Sequence, residues 1–168
     1  SEVVQRALIV IESDDIVSAT IAYVNSRDLS ESEKAETLAI SLYEKSLEKF
    51  TEARRWALMG EDTASVQAKR ISEKALEESK RYQEIAKSLG ANVSRIVLIQ
   101  FDQAIIDKDL DSAEKFLSEL AELPNVSAAY RGSQVKYALA TASRAAETGD
   151  KQTFQAEMSK AAEFAQKM

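Results

Sequence analysis

The chain contains a single proline and four glycines in 168 residues, and this scarcity limits the folds that it can adopt. Strands and their tight turns draw heavily on Gly, Pro and Asn, whereas long runs without Gly or Pro are typical of helices. Gly60, Gly90, Pro124 and Gly149 each follow a run with helical periodicity, at a point where a helix is expected to end. The sequence therefore predicts an all-α protein.

Apolar residues recur every three or four positions along each run, which is the spacing of one helix face. Ser30 and Glu33 have the spacing of a capping box, and Asp62 or Thr63 opens the next helix. The predicted helices are approximately 2–26, 30–59, 63–89, 92–107, 110–123, 126–148 and 150–167. Short turns favour antiparallel neighbours, so we expect about seven antiparallel helices in a helical bundle or a short α-solenoid of stacked hairpins.

The periodicity also predicts which side chains are buried. For the third helix the predicted apolar stripe is Val66, Ile71, Ala75, Tyr82, Ile85 and Leu89. For the last helix it is Phe154, Met158, Ala161 and Ala165. The segment from Val93 to Ile106 is apolar nearly all round, which predicts a buried, central helix.

We expect residues 1–168 to form a single all-helical domain, because its length is ordinary for one. Within it, residues 1–90 would form a bundle of three long helices and residues 91–168 a set of shorter hairpins. Ser13 is of a type that caps helices, so a break there is the alternative to one continuous or slightly kinked first helix, which we favour. Gly132 allows a similar break in the sixth helix.

The chain has no cysteine and no histidine, which excludes several classes of chemistry. Disulfides, thiolate nucleophiles, and metal or haem sites built on Cys or His are ruled out. There is also no Gly-rich phosphate loop and no dinucleotide fingerprint. The sequence therefore predicts a protein that is not an enzyme and carries no cofactor. The alternative is an enzyme that uses carboxylates and Lys or Tyr alone, but no residues are singled out for such chemistry.

Charge and hydropathy restrict the partners. The net charge of −6 argues against nucleic acid, and the apolar runs fall short of the roughly 20 residues that a membrane helix needs. We favour a cytoplasmic location. Because the chain begins at Ser1 without a Met, an extracytoplasmic location after removal of a leader is the alternative.

Alternating carboxylates at Asp107, Asp109 and Asp111 have the pattern of a site for a hard cation. The run lacks the Gly and the bidentate Glu that a calcium loop requires, so we interpret it as a turn. Asp109 or Asp111 would then cap the following helix. Carboxylates also pair at helical spacing in Glu44–Glu48, Glu48–Glu52 and Glu73–Glu77, and we assign these pairs to solvated helix faces. No metal site is predicted.

The segment 108–124, KDLDSAEKFLSELAELP, resembles the second helix of a tetratricopeptide repeat. Lys108 stands where that family has Gly, and the preceding helix lacks the family's Trp, Leu, Gly and Tyr. The turns at Asp107–Asp109 and Gly149–Asp150 lie about forty residues apart in the sequence. The resemblance implies a stacked array of helical hairpins.

These observations favour a non-enzymatic adaptor or scaffold that binds another protein through a groove or a helix face. One alternative is a bundle that holds an apolar small molecule or lipid, with the segment from Val93 to Ile106 lining the pocket. Another is a self-assembling structural protein, a homo-oligomer formed through the long helix stripes. Arg, Trp and Tyr dominate many interfaces, and the candidate partner contacts are Arg54, Arg55, Trp56, Tyr82, Tyr130 and Tyr137. For Trp56, packing at the edge of the core is the favoured role, and a partner contact is the alternative.

Overall fold

The computed structural model describes residues 2–124 and 126–168, apart from the side chains of residues 2, 5, 6 and 8–14. This part of the chain is all-α, without a strand. Its helices are α1 (Glu2–Asn25), α2 (Glu31–Leu58), α3 (Asp62–Ser88), α4 (Ser94–Ile106), α5 (Leu110–Glu122), α6 (Ser127–Thr148) and α7 (Lys151–Gln166). The predicted helices are confirmed, each within two residues at either end.

The chain divides into two compact units, Ser1–Val93 and Ser94–Met168. In the first unit, α1, α2 and α3 each contact the other two helices and form a three-helix bundle. In the second unit, α4 packs against α5, α6 packs against both, and α7 packs against α6. The expected single domain over residues 1–168 stays a prediction.

The helix α1 is continuous along its backbone, so the alternative with a break at Ser13 is wrong. The side chains of Ser13 and Asp14 lie outside the described residues. Helix α6 likewise runs unbroken through Gly132. A glycine costs a helix only about 1 kcal/mol relative to Ala, and packing against neighbouring helices outweighs that cost.

The contact between α2 and α3 is built from small residues. Three serines of α3, spaced seven residues apart, each donate a hydrogen bond to a backbone carbonyl of α2. The pairs are Ser65 Oγ to Ala53 O (2.8 Å), Ser72 Oγ to Ser46 O (2.7 Å) and Ser79 Oγ to Ala39 O (2.6 Å). Because a serine side chain is short, these bonds require the two helix backbones to lie close together. A seven-residue repeat in both helices is the spacing of a coiled-coil seam.

This seam corrects the predicted stripe of α3. Val66 and Leu89 are exposed by 52% and 49%, whereas Ile71 and Ala75 are buried as predicted. The other buried positions of the helix are small or polar, namely Ala68, Ser72, Ser79, Gln83 and Ala86. Close backbones leave room only for small side chains, so the large apolar residues lie outside the seam.

Helix α4 is buried along most of its length, as its composition predicts. Ile96, Val97 and Phe101 are no more than 1% exposed, and the preceding Val93 is 2% exposed. Its last residue, Ile106, is an exception at 71%. The predicted apolar stripe of α7 is largely wrong. Of its four residues, Ala161 is buried, whereas Phe154, Met158 and Ala165 are exposed.

Candidate functional site

A cleft of about 380 Å³ opens between the three helices of the first unit. It is lined by Asp15 and Ile16 of α1, Lys49, Glu52 and Trp56 of α2, and Ala64, Gln67, Ala68 and Ile71 of α3. Ala68 and Ile71 are each 3% exposed and form part of its apolar wall. The cleft therefore combines an apolar interior with charged and amide side chains.

Trp56, at one side of this cleft, is half-buried and held by polar contacts. Its indole Nε1–H donates to Glu52 Oε1 at 3.4 Å, and Lys49 Nζ donates to Glu52 Oε2 at 2.9 Å. Residues at these spacings share one helix face. The hydrogen bond from Lys49, with smaller contributions from Trp56 and Arg55, holds the pKa of Glu52 below its ordinary value. Glu52 is therefore an anion at neutral pH, and the chain Lys49–Glu52–Trp56 orients the indole ring.

Arg54 lies on a different face of α2. Its guanidinium carbon lies 5.8 Å from the centroid of the Phe50 ring, and Phe50 is 49% exposed. At 100° per residue, positions 54 and 56 are about 200° apart around a helix. Arg55 is exposed and close enough to Glu52 to lower its pKa. The structure thus separates Arg54 from the cleft and keeps Arg55 on the Glu52 side.

Tyr82 is engaged within the first unit. Its half-buried ring packs against the buried cluster of Val17, Leu42 and Ala75. The guanidinium carbon of Arg81 lies 4.6 Å from the ring centroid, close enough for a cation–π interaction. The ring therefore contributes to the core whether or not its edge also meets a partner.

Tyr137 and Tyr130 belong to α6 in the second unit. Tyr137 packs against the buried cluster of Phe101, Ala104 and Ala113, and burial raises the pKa of its hydroxyl. Tyr130 is half-buried in the first turn of α6. The predicted contact residues thus fall into different units and surroundings, and their role in binding a partner stays a prediction.

A second cleft, of about 270 Å³, lies within the second unit. It is lined by Ile105, Lys108, Leu110, Ala140, Ser143, Arg144 and Glu147. Lys108 Nζ and Glu147 Oε1 form an ion pair at 3.5 Å beside it. Ile105 is the residue that α4 contributes to this cleft, so the predicted lipid pocket along Val93–Ile106 stays a prediction.

At the α4–α5 turn, the carboxylate of Asp109 caps the first turn of α5. Asp109 Oδ1 accepts from the Ser112 backbone N–H at 3.1 Å, and Asp109 Oδ2 accepts from the Ser112 hydroxyl at 2.7 Å. These bonds hold the pKa of Asp109 below its ordinary value. The predicted cap is confirmed at Asp109. Among the described residues, no group of three or more acidic side chains is arranged to hold a metal ion.

The sequence singles out Trp56 as a candidate contact residue but does not predict the cleft around it. The spacing of Lys49, Glu52 and Trp56 on one helix face is visible in the sequence. The opposite walls, from Ile16 of α1 and Ile71 of α3, depend on how three helices pack. No local pattern in the sequence carries that information.

In comparisons with known proteins, the chain matches no family model, no curated protein and no solved structure. The resemblance of residues 108–124 to a tetratricopeptide helix therefore stays a prediction. Judged on the described residues, none of the helices has both the length and the apolar character needed to cross a bilayer.

Proposed function

We propose that the protein is a non-enzymatic helical module that binds another protein at the Trp56 cleft. The observation that carries this proposal is a half-buried tryptophan, oriented by Glu52, at the side of an open cleft with apolar walls. Buried aromatic anchors surrounded by polar residues dominate the energetics of protein interfaces. A tryptophan held in place before binding loses little side-chain entropy when a partner covers it.

Two exposed apolar residues follow Trp56 in sequence but lie outside the lining of the cleft. Leu58 is 90% exposed and Met59 is 64% exposed. Position 58 is about 200° around the helix from position 56, so Leu58 faces away from the cleft and can serve as a control.

The charges in the cleft favour binding over catalysis. Glu52 is engaged by Lys49 and Trp56, and its pKa is lowered, which keeps it a weak base. A general acid or base at neutral pH needs a pKa near 7, the opposite direction of shift for a carboxylate. Glu52 is therefore suited to orienting Trp56 and unsuited to transferring a proton.

Affinity capture from the source cells with three forms of the protein tests this proposal. The forms are the wild type, Trp56→Ala, and Leu58→Ala as a matched control that removes a more exposed apolar side chain. A partner retained by the wild type and the control but lost from Trp56→Ala would support the proposal. Equal capture by all three forms, or a captured protein that is only this chain itself, would contradict it.

A further inference from the structure

The two hairpins of the second unit are related by a constant offset of 41 residues along the sequence. The turn residues Lys108 and Gly149 correspond, and both have a left-handed backbone, with φ of 58° and 77°. The next residues, Asp109 and Asp150, cap their helices in the same way. Each aspartate accepts hydrogen bonds from the backbone N–H and the side-chain hydroxyl three residues later, in Ser112 and Thr153 respectively.

Where α4 meets α5 and α6 meets α7, buried positions of the first hairpin correspond to buried positions 41 residues later in the second. Four pairs of corresponding positions are buried in both hairpins. They are Val97 and Ala138, Phe101 and Ala142, Ala104 and Ala145, and Leu120 and Ala161. The α4–α5 and α6–α7 hairpins are therefore equivalent structures, with smaller side chains in the second.

The equivalence fails on one face. In the first hairpin, Ala113 is fully buried and Leu117 packs against the same cluster, which Tyr137 of α6 also covers. The corresponding residues of the second hairpin are Phe154 and Met158, which are 38% and 41% exposed. The face that α6 covers on the first hairpin is thus open on the second, and it carries larger apolar side chains.

The charge beside this face is positive. Lys151 lies three residues before Phe154 and seven before Met158, so the three share a helix face. Lys151 has no acidic partner among the described residues, whereas the acidic side chains of α6 and α7 are engaged. Glu147 pairs with Lys108, Glu157 with Lys160, and Glu163 with Lys167, while Asp150 caps α7.

The local charge of the α6–α7 hairpin favours an acidic occupant over a second copy of the same face, although the second unit as a whole carries nine basic and eleven acidic side chains. Residues 125–168 carry six basic and four acidic side chains, although the whole chain has a net charge of −6. Two such faces would repel each other, and a carboxylate of a partner would find Lys151 unpaired.

We propose that Lys151, Phe154 and Met158 form a docking face for an acidic, amphipathic α-helix of another protein. The helix covers Phe154 and Met158 as α6 covers Ala113 and Leu117, and one of its carboxylates pairs with Lys151. This inference rests on the proposed function, since both require a protein partner. It concerns the second unit, however, whereas the Trp56 cleft belongs to the first.

The test uses two synthetic helical peptides and the full chain. Both peptides carry leucines at i, i+3 and i+7, and their flanking positions are Glu in one and Lys in the other. Fluorescence anisotropy should show saturable binding of the Glu peptide and at least about tenfold weaker binding of the Lys peptide. The double variant Phe154→Ala, Met158→Ala should bind the Glu peptide about tenfold or more weakly than the wild type. Lys151→Glu should bind the Lys peptide more tightly than the Glu peptide.

Met59→Ala is the matched control, because it removes an exposed methionine from the first unit. Circular dichroism checks that each variant is folded. Equal affinity for the two peptides, binding insensitive to Met158→Ala, or no saturation up to about 1 mM would overturn the inference. So would a homodimer that Met158→Ala dissociates, since the occupant would then be a second copy.

The Trp56→Ala variant separates this inference from the proposed function. It should bind the Glu peptide with wild-type affinity. A Glu peptide that binds the wild type but not Trp56→Ala would overturn the docking face and support the cleft. Loss of peptide binding only in the α7 variants would support the docking face whatever the outcome at Trp56.

Discussion

Lys108 has a backbone conformation that the chain elsewhere gives to glycine. Its φ is 58°, and the neighbouring N–H groups of Lys108 and Asp109 bond back to the carbonyls of Ile105 and Ala104 at 3.1 and 2.9 Å. This arrangement closes the end of α4 as a Schellman motif. A residue with a Cβ atom adopts the left-handed region at a cost of about 1 kcal/mol or more. The turn therefore forms in spite of Lys108.

Replacing Lys108 should stabilise the protein when the new residue is glycine. We expect Lys108→Gly to have a free energy of unfolding about 1 kcal/mol higher than Lys108→Ala, because only glycine relieves the left-handed strain. Both variants lose the exposed ion pair with Glu147, so their difference isolates the backbone effect. Urea denaturation measures it.

Gly149 provides the reverse experiment. Its φ is 77°, and a Cβ atom there would meet nothing within 4 Å. Gly149→Ala should therefore lower the free energy of unfolding by about 1 kcal/mol through backbone strain alone. A stabilised Gly149→Ala variant, or equal stability of the two Lys108 variants, would refute this explanation of the turns.

Glu52 should make the stability depend on pH in the acidic range. The hydrogen bond from Lys49 is the main cause that lowers the pKa of Glu52 in the folded state. The stabilisation that ionised Glu52 provides is therefore fully present above the pKa that Glu52 has in the unfolded chain. It is lost as the pH falls through the lower pKa of the folded state. We expect Glu52→Gln to be less stable than the wild type at pH 7, with the difference shrinking below about pH 4. Urea denaturation at several pH values checks this, and a difference independent of pH would contradict it.

At the scale of single residues, the sequence predicted the helix ends at Gly60, Gly90 and Gly149 and a cap at Asp109 or Asp111, of which Asp109 is the one observed. These features depend on neighbours within a few positions, so local patterns suffice. The left-handed backbone of Lys108 was not predicted, because its intrinsic preference opposes it.

At the scale of helices, the pairing of α2 with α3 depends on the spacing of small residues. Ser46, Ser72 and Ser79 are at most 5% exposed, although serine is usually a surface residue. The hydroxyls of Ser72 and Ser79 donate to carbonyls across the seam, and Ser46 Oγ lies 3.3 Å from Ser72 Oγ, so burial of these groups costs little. The seam is thus specified by size and by hydrogen bonding together.

Ser79 allows these two contributions to be separated. Ser79→Ala should destabilise the protein by about 1 kcal/mol, because it loses the hydrogen bond to Ala39 O while keeping a small side chain. Ser79→Val should cost about 1–3 kcal/mol more, since its branched side chain forces the helices apart. Thermal or urea unfolding measures both.

Ser88→Ala is the control, because Ser88 is exposed and bonds within its own helix to Ile85 O. Its effect should stay within about 0.5 kcal/mol. If Ser79→Val were as stable as Ser79→Ala, the seam would tolerate larger residues and the close approach of the helices would not explain the sequence.

The helices of the described residues were predictable because each has its own periodicity and its own end signals. The faces used for packing were predictable only in part. Hydropathy ranks Val66 above Ser72, yet Ser72 is buried and Val66 is exposed. The reason is that the short distance between α2 and α3 admits only small side chains. That distance depends on how the helices pack and is not encoded in a local pattern.

At the scale of the whole molecule, the chain presents apolar side chains on the surface of both units. Leu58 and Met59 lie at the end of α2 in the first unit, and Phe154 and Met158 lie on α7 in the second. The sequence predicted Trp56 as a contact residue but assigned the α7 residues to the core. That assignment failed because a periodic stripe does not tell whether a neighbouring helix covers it.

The most direct test of protein binding at the cleft uses intrinsic fluorescence, because Trp56 is the sole tryptophan of the chain. A captured partner fragment without tryptophan should be titrated into the wild type and Leu58→Ala. We expect a saturable blue shift of the emission in both proteins, as the half-buried indole loses contact with water. The Trp56→Phe variant lacks the fluorescent indole, so its affinity is measured by calorimetry, and it should bind the fragment more weakly than the wild type does. Saturable binding that leaves the Trp56 emission unchanged, with full affinity in Trp56→Phe, would contradict the proposed function.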